Sequence, residues 1–132
     1  MARKHCDALS GYSKIILDTI ISTEKSGTIA EEFKQKFGFK RATTDVDSVI
    51  QDESIDIVVI CTPDSSHADI VTKFLRAGKH VLCEKPLART KNDFDVIKDE
   101  LEKSRKILQV GMNCRFREQY SKPKEIIDNG EL

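Results

Sequence analysis

Residues 55–83 read IDIVVICTPDSSHADIVTKFLRAGKHVLC, and their pattern decides the fold. The first seven residues are almost all apolar, which is typical of a strand buried on both faces of a parallel sheet. Val71, Phe74 and Leu75 then recur with helical spacing, and Gly78 follows as a helix-ending residue. The last four residues form a second apolar run. Strand, helix and strand with short connections predict a βαβ unit.

The same alternation continues along the whole chain and predicts an α/β fold with a doubly wound parallel sheet. We expect the 132 residues to form one domain. The predicted strands are Thr19–Thr23, Arg41–Thr44, Ile55–Cys61, His80–Cys83 and Ile107–Met112. Further helices are predicted over Ile29–Phe37 with Gly38 as its end, after Thr90, and from Ser121 with Pro123 in its first turn.

Charge and composition exclude several function classes. The 22 Lys and Arg residues balance the 22 Asp and Glu residues, so no net basic charge favours nucleic acid or an anionic membrane. No apolar stretch approaches the roughly 18 residues of a membrane span, and the polar N-terminus does not resemble a signal peptide. We expect a cytoplasmic protein. Four cysteines without a C-x-x-C pair predict buried reduced thiols and no metal site.

Polar segments follow the predicted strands at the points where the strands end. They read STEKS, CTPDSSH, CEKP and GMNCRF. Ligands bind open α/β sheets at the carboxyl ends of the strands, close to the point where the strand order reverses. The sequence therefore predicts a ligand site at this edge.

The stretch VVICTPDSSHADIVTKFLRAGKHVLCEKPLA closely resembles the N-terminal domain of the glucose–fructose oxidoreductase, inositol dehydrogenase and MocA family. Its Thr-Pro pair, the following His and the A-G-K-H-V-x-x-E-K-P stretch carry the resemblance, and ILQVGMNCRF and IIDNGEL agree in order and spacing. The resemblance implies a Rossmann-like sheet that binds NAD or NADP. It also implies hydride transfer between nicotinamide and a sugar, cyclitol or related polyol.

The resemblance implies a role for each matching residue. Thr62 and Pro63 would lie along the cofactor, and His67 would contact it. Glu84 would face the nicotinamide ribose. Lys85 would reach the reacting hydroxyl or carbonyl.

Three further positions complete the carried-over site. Pro86 often follows a cis peptide bond in this family, which would fix the bend of the chain. Asn113 and Arg115 would lie near the nicotinamide end of the site.

The chemistry of Lys85 and Glu24 supports a site role for each residue and also allows an alternative role. A lysine in a desolvated pocket has a lowered pKa and can exchange a proton with a substrate oxygen, although Lys85 could also be a surface residue paired with Glu84. Glu24 follows a strand, where an acid commonly binds the adenosine ribose of NAD. Lys25 and Ser26 could instead bind the 2′-phosphate of NADP, so the choice of cofactor stays open.

Plain structural roles remain open for the other polar candidates. His67 could cap or pack a helix, and Arg115 could pair with Glu118. We expect His80 to be structural and His5 to be a surface residue.

The chain departs from the family at its start. A complete member opens with a strand and a G-x-G-x-x-G loop, whose glycines let the backbone approach the pyrophosphate. Residues 1–132 contain neither, and MARKHCDAL resembles the helix that follows that loop. We therefore expect a fragment with an incomplete sheet, interrupted between the strands ending at Thr23 and Cys61. The substrate domain, through which members commonly oligomerise, is also expected to be absent.

Two other interpretations stay open. The chain could be a non-catalytic nucleotide-sensing or protein-interaction module on the same scaffold, or an inactive truncated product. The complete E-K-P sequence argues against a sensor, because a sensor does not need the lysine.

Overall fold

The computed structural model describes residues 1–131. The helices and strands follow one another in the alternating order that the sequence predicts. In chain order they are α1 (Ala2–Leu9), β1 (Thr19–Ile21), α2 (Gly27–Phe37), β2 (Arg41–Thr43), α3 (Val46–Ile50), β3 (Ile57–Ile60), α4 (His67–Arg76), β4 (His80–Cys83), α5 (Lys91–Ser104), β5 (Leu108–Val110) and α6 (Glu118–Asp128). Short 3₁₀ turns lie at Glu24–Ser26, Asp64–Ser66 and Asn113–Phe116.

All strand pairs are parallel, which confirms the predicted α/β, Rossmann-like fold. β1 pairs with β2 in one sheet, and a second sheet has the order β3–β4–β5. Helix α2 packs on the first sheet, whereas α4 packs on β3 and β4 and also against α5. The carboxyl ends of the strands within each sheet therefore lie at a common edge.

The two sheets are separate, as expected for an incomplete sheet. Among residues 1–131, no strand joins β1 to β3. The prediction that the Ile55–Cys61 run is buried on both faces is wrong at the start of the strand. Ile57 is 63 % exposed, because β3 lies at the edge of its sheet and pairs only with β4.

Local helix signals are confirmed where the sequence is most explicit. Gly38 and Gly78 have φ angles of 77° and 71°. This left-handed conformation is unfavourable for residues that carry a Cβ atom. The Thr90 hydroxyl oxygen accepts a hydrogen bond of 3.1 Å from the Asp93 backbone N–H and so caps α5.

The last helix begins earlier than the sequence predicts. α6 starts at Glu118 instead of Ser121, so Pro123 lies inside the helix and not in its first turn. An acidic side chain in the first turn interacts favourably with the positive end of the helix dipole. The sequence analysis also missed α3, which Asp45 caps by accepting a hydrogen bond of 3.1 Å from the Ser48 backbone N–H.

The core of the second sheet lies under α4. The α4 residues Val71, Phe74 and Leu75 are at most 1 % exposed, as the predicted apolar stripe requires. Burial of such side chains contributes about 1.5–3 kcal/mol each, so this cluster is the main support of the strand ends. The other buried members are Val49, Ile55, Ile60, Val81, Cys83 and Ile97.

The cysteines divide by burial. Cys6 and Cys83 are buried, as predicted, whereas Cys61 is half-buried and Cys114 is exposed. Cys114 therefore departs from the prediction, because it lies in the 3₁₀ turn after β5 and not on a strand or helix that faces the core. Burial raises the pKa of the Cys61 thiol to about 11 and that of the Cys83 thiol to about 12.

Candidate functional site

The candidate site lies at the carboxyl ends of β3, β4 and β5. Hydrogen bonding between neighbouring chains continues past the strands here. The Glu84 N–H donates to the Ile60 carbonyl oxygen over 3.0 Å, and the Gly111 N–H donates to the Cys83 carbonyl oxygen over 2.8 Å. These bonds hold the residues after β4 and β5 in register with the sheet, so Glu84 and the residues that follow it have fixed positions.

Glu84 is a buried acid at this edge. Its side chain is 7 % exposed. The carboxylate oxygen Oε1 lies 2.8 Å from Nε2 of His5, and Oε2 accepts a longer hydrogen bond of 3.3 Å from the Lys85 backbone N–H. A buried carboxylate requires such partners, because an unpaired buried charge is strongly unfavourable.

The surroundings of Glu84 favour its charged form. Burial alone raises the pKa of the carboxyl group. The hydrogen bonds from His5 and from the Lys85 backbone, and the positive charges of His5 and of the amino terminus, outweigh burial and lower the pKa overall. Glu84 is therefore an acceptor of hydrogen bonds at neutral pH.

Lys85 lies next to this enclosed acid but points to solvent. The residue is exposed, and its ammonium group forms no hydrogen bond or ion pair with residues 1–131. Its alternative role as the ion-pair partner of Glu84 is thus not observed, since His5 takes that place. The peptide bond between Lys85 and Pro86 is cis, which confirms the bend that the family resemblance implies.

His67 connects the loop after β3 with the loop after β4. Its ring is 1 % exposed. Nδ1 lies 2.7 Å from the Pro86 carbonyl oxygen, and Nε2 lies 2.9 Å from the Thr62 carbonyl oxygen. Carbonyl oxygens only accept hydrogen bonds, so the neutral ring donates to one of them and the protonated ring to both. His67 therefore fixes both loops, and its direct contact with a cofactor stays a prediction.

Thr62 and Pro63 form the loop after β3. Both residues are exposed. The Ser66 hydroxyl group donates to the Pro63 carbonyl oxygen over 2.7 Å, and its oxygen lies 2.9 Å from the Thr62 hydroxyl oxygen, within hydrogen-bond distance. The loop is thus ordered by its own bonds and by His67, while the Thr62 and Pro63 side chains face outward.

Glu24, Asn113 and Arg115 complete the set of predicted residues, and all three are exposed. Glu24 begins the 3₁₀ turn after β1, so it belongs to the edge of the other sheet. Asn113 and Arg115 lie in the 3₁₀ turn after β5. The alternative ion pair between Arg115 and Glu118 is not found among the described residues.

The structure brings one unpredicted residue into the site. His5 on α1 contacts Glu84 across 79 positions of sequence, although we expected it to be a surface residue. A single histidine on a short amphipathic helix gives no local signal of such a partner. His80 has the structural role that was predicted, because its Nδ1 accepts a hydrogen bond of 3.0 Å from the Ile107 backbone N–H.

Open space lies beside this contact. A cavity of about 350 Å³ lies between α1 and the ends of β4 and β5, with His5, Glu84 and Asn113 on its wall.

No group of three or more His, Cys, Asp or Glu side chains suited to a metal ion occurs within residues 1–131. The same part of the chain contains no helix long and apolar enough to cross a membrane.

The polar groups fit part of a dinucleotide. Exposed Glu24 can accept hydrogen bonds from the hydroxyl groups of one ribose. The loops after β3, β4 and β5 offer polar groups on one edge of their sheet for the other end of the dinucleotide. The 132 residues contain no G-x-G-x-x-G sequence to cradle a pyrophosphate. The residues present therefore suit the ribose and nicotinamide ends of the cofactor.

An alanine at position 111 should destabilise the chain. Its Cβ would lie 3.3 Å from three carboxyl atoms of Glu84, and overpacking of this kind costs about 1–3 kcal/mol. Chemical denaturation measures the change in the free energy of unfolding. Gly27→Ala is the control, because a Cβ there meets nothing within 4 Å and alanine in a helical conformation stabilises by about 0.4–1 kcal/mol. Equal stabilities of the two variants would show that Gly111 does not need to be small.

Known proteins are similar to this chain in sequence and in fold. The chain is 37 % identical to the myo-inositol 2-dehydrogenase of Thermotoga maritima over 101 residues, which are 76 % of this chain and 30 % of that enzyme. It is similar to the crystal structure of a probable dehydrogenase from Thermotoga maritima with a TM-score of 0.85 and 33 % identity, over 96 % of this chain and 37 % of that one. A levoglucosan dehydrogenase in complex with NADH and levoglucosan gives a TM-score of 0.77 and 33 % identity, over 87 % and 30 % of the two chains.

These matches fix the family and the extent of the likeness. The chain spans about a third of the length of the relatives it matches. The sequence model of the Gfo/Idh/MocA family, an oxidoreductase family with an NAD-binding Rossmann fold, matches residues 1–112. Because this match covers most of the chain and includes the β3–α4–β4 unit with its E-K-P turn, the protein belongs to the Gfo/Idh/MocA family of oxidoreductases.

Proposed function

We propose that the chain forms the NAD-binding part of a dehydrogenase that acts on a sugar, cyclitol or related polyol. One observation carries the proposal. At the carboxyl edge of the sheet, Glu84 is buried and held by hydrogen bonds, while the adjacent Lys85 is exposed and without a partner among residues 1–131. An anchored acid beside an unpaired base suits a site where the acid binds a ribose and the base reaches a substrate oxygen.

Each predicted residue has a place in this proposal. NAD, when bound, supplies the hydride acceptor. Nζ of Lys85 would accept the proton of the substrate hydroxyl group as that group becomes a carbonyl, and would return it in the reverse reaction. Thr62 and Pro63 lie along the dinucleotide, and Asn113 and Arg115 lie near its nicotinamide end.

The substrate class comes from the relatives and is proposed only for the protein as a whole. The curated relative in Thermotoga maritima is a myo-inositol 2-dehydrogenase, and a solved relative binds levoglucosan. The chain covers about a third of such enzymes. Oligomerisation and a cytoplasmic location stay predictions from the sequence.

A calorimetric titration of the 132-residue chain with NADH, and separately with NADPH, tests the cofactor proposal. We expect saturable binding with a preference for NADH. The exposed carboxylate of Glu24 accepts hydrogen bonds from the ribose hydroxyl groups of NADH and repels the 2′-phosphate of NADPH. Glu24→Ala should weaken NADH binding about tenfold or more, since a hydrogen bond to a charged group contributes about 1.5–3 kcal/mol.

A second exposed acid provides the control for that substitution. Glu31 lies on α2 and pairs with Lys34 over 3.0 Å at the surface, so Glu31→Ala should leave NADH affinity unchanged. A folded chain that binds neither nucleotide would contradict the proposal that these residues hold the cofactor. A preference for NADPH would instead assign the turn after β1 to phosphate recognition by Lys25 and Ser26.

A further inference from the structure

We propose that His5 is a positioning residue, which holds the carboxylate of Glu84 and thereby fixes the backbone from which Lys85 projects. The importance of Lys85 rests on the proposed function. The contact between His5 and Glu84 does not, because it is a feature of this chain without any ligand. The inference therefore assigns to α1 a part in shaping the turn that follows β4.

The carboxylate of Glu84 contacts both His5 and the backbone N–H of Lys85. Its Oε1 atom lies 2.8 Å from Nε2 of His5, while its Oε2 atom accepts a hydrogen bond of 3.3 Å from the Lys85 backbone N–H. A change in the direction of the carboxylate at His5 must also change its position at the Lys85 amide. His5 therefore acts on Lys85 through Glu84.

The carboxylate is confined on one side by Gly111. Gly111 lies against it so closely that a Cβ at that position would be 3.3 Å from Cδ and both oxygens. The Glu84 side chain is 7 % exposed while His5 covers it. Without His5, the carboxylate would keep only the long contact to the Lys85 N–H as a hydrogen bond within residues 1–131, and it could turn toward the cavity that it lines.

The same contact ties α1 to the second sheet. Cys6 is the only buried residue of Ala2–Leu9, and an isolated helix of this length is unstable in water. A short, partly buried hydrogen bond from the neighbouring residue His5 thus fixes the orientation of α1 as well as that of Glu84.

The ionisation of Glu84 reports on this contact. The titratable groups that interact with the carboxylate are His5 on α1, the amino terminus of Met1 just before α1, and the thiols of Cys61 after β3 and Cys83 on β4. Burial raises the pKa of Glu84, and the hydrogen bond from His5 is the largest influence that lowers it. Removing His5 should therefore raise the pH at which Glu84 titrates.

Nuclear magnetic resonance of the 132-residue chain, labelled at the glutamate carboxyl carbons and at all nitrogen atoms, tests the inference without any nucleotide. In His5→Ala, we expect the Glu84 titration midpoint to rise and the Lys85 amide resonance to move. In His5→Gln, whose side-chain amide can donate from nearly the same place, the Lys85 resonance should return close to its original position. Asp7→Ala changes an exposed residue of α1 that does not line the cavity beside Glu84 and should alter neither signal.

Two results would overturn the inference. One is an unchanged Glu84 midpoint and Lys85 amide in His5→Ala, and the other is an equal effect of His5→Ala and His5→Gln. If His5→Ala does not fold, Glu84→Gln provides the second test, in which the Nε2 resonance of His5 should move. An Nε2 resonance that stays in place would again refute the contact. Because no nucleotide is present, a failure of the chain to bind NADH does not affect any of these outcomes.

Discussion

Lys85→Ala should lower turnover by about 10²–10⁴-fold and leave cofactor affinity nearly unchanged. The exposed ammonium group of Lys85 has no partner among the described residues, so its loss removes proton transfer without disturbing the fold. Turnover requires a substrate-binding part, which a hybrid protein can supply. In that hybrid, this chain replaces the matching segment of the Thermotoga maritima myo-inositol 2-dehydrogenase, and NADH formation is followed by absorbance with myo-inositol as substrate.

Lys91 provides the control for Lys85→Ala. Lys91 begins α5 and pairs with Asp95 on the helix surface, so Lys91→Ala should retain full turnover. Turnover that survives Lys85→Ala would refute the catalytic assignment. A hybrid that binds NADH but forms no product, even with Lys85 present, would favour the nucleotide-sensing interpretation of this scaffold.

His67→Ala should lower the free energy of unfolding of the chain by about 2–4 kcal/mol. The substitution removes the ring that contacts the carbonyl oxygens of Thr62 and Pro86. A buried polar group without a partner costs about 1–3 kcal/mol, and the volume of the lost ring adds a packing defect. Denaturation with urea, followed by circular dichroism, measures the change.

Asp69 provides the control on the same helix. Its carboxylate is exposed and pairs with Lys73 over 2.9 Å at the surface of α4, an interaction that contributes about 0.3–0.5 kcal/mol. Asp69→Ala should therefore change stability far less than His67→Ala. Similar losses for the two variants would mean that the imidazole ring does not join the loops after β3 and β4.

Local signals predicted the parts of the fold that depend on neighbours in sequence. Gly38 and Gly78 end their helices in the left-handed conformation, and Thr90 caps α5, because each of these roles is decided within about four residues. The strands were placed within two residues of their observed ends for the same reason. The start of α6 was misplaced, because Pro123 suits a first turn but does not exclude the interior of a helix.

The candidate site was also predicted only where the local sequence determines it. Glu84 and Lys85 were placed at the edge because the residues after a parallel strand must lie there. The partner of Glu84 was missed, since His5 is 79 positions away and no pattern near either residue encodes their contact. The exposure of Ile57 likewise depends on which strands stand beside β3, and not on the apolar run that contains it.

The separation of the two sheets has a consequence for the behaviour of the chain in solution. β1 and β3 each present one edge of backbone N–H and C=O groups that no strand within residues 1–131 pairs with. Such edges can add a strand from another molecule, especially where the side chains are apolar and β-branched, as they are in the IVVI sequence of β3. We therefore expect self-association through these edges to increase with protein concentration.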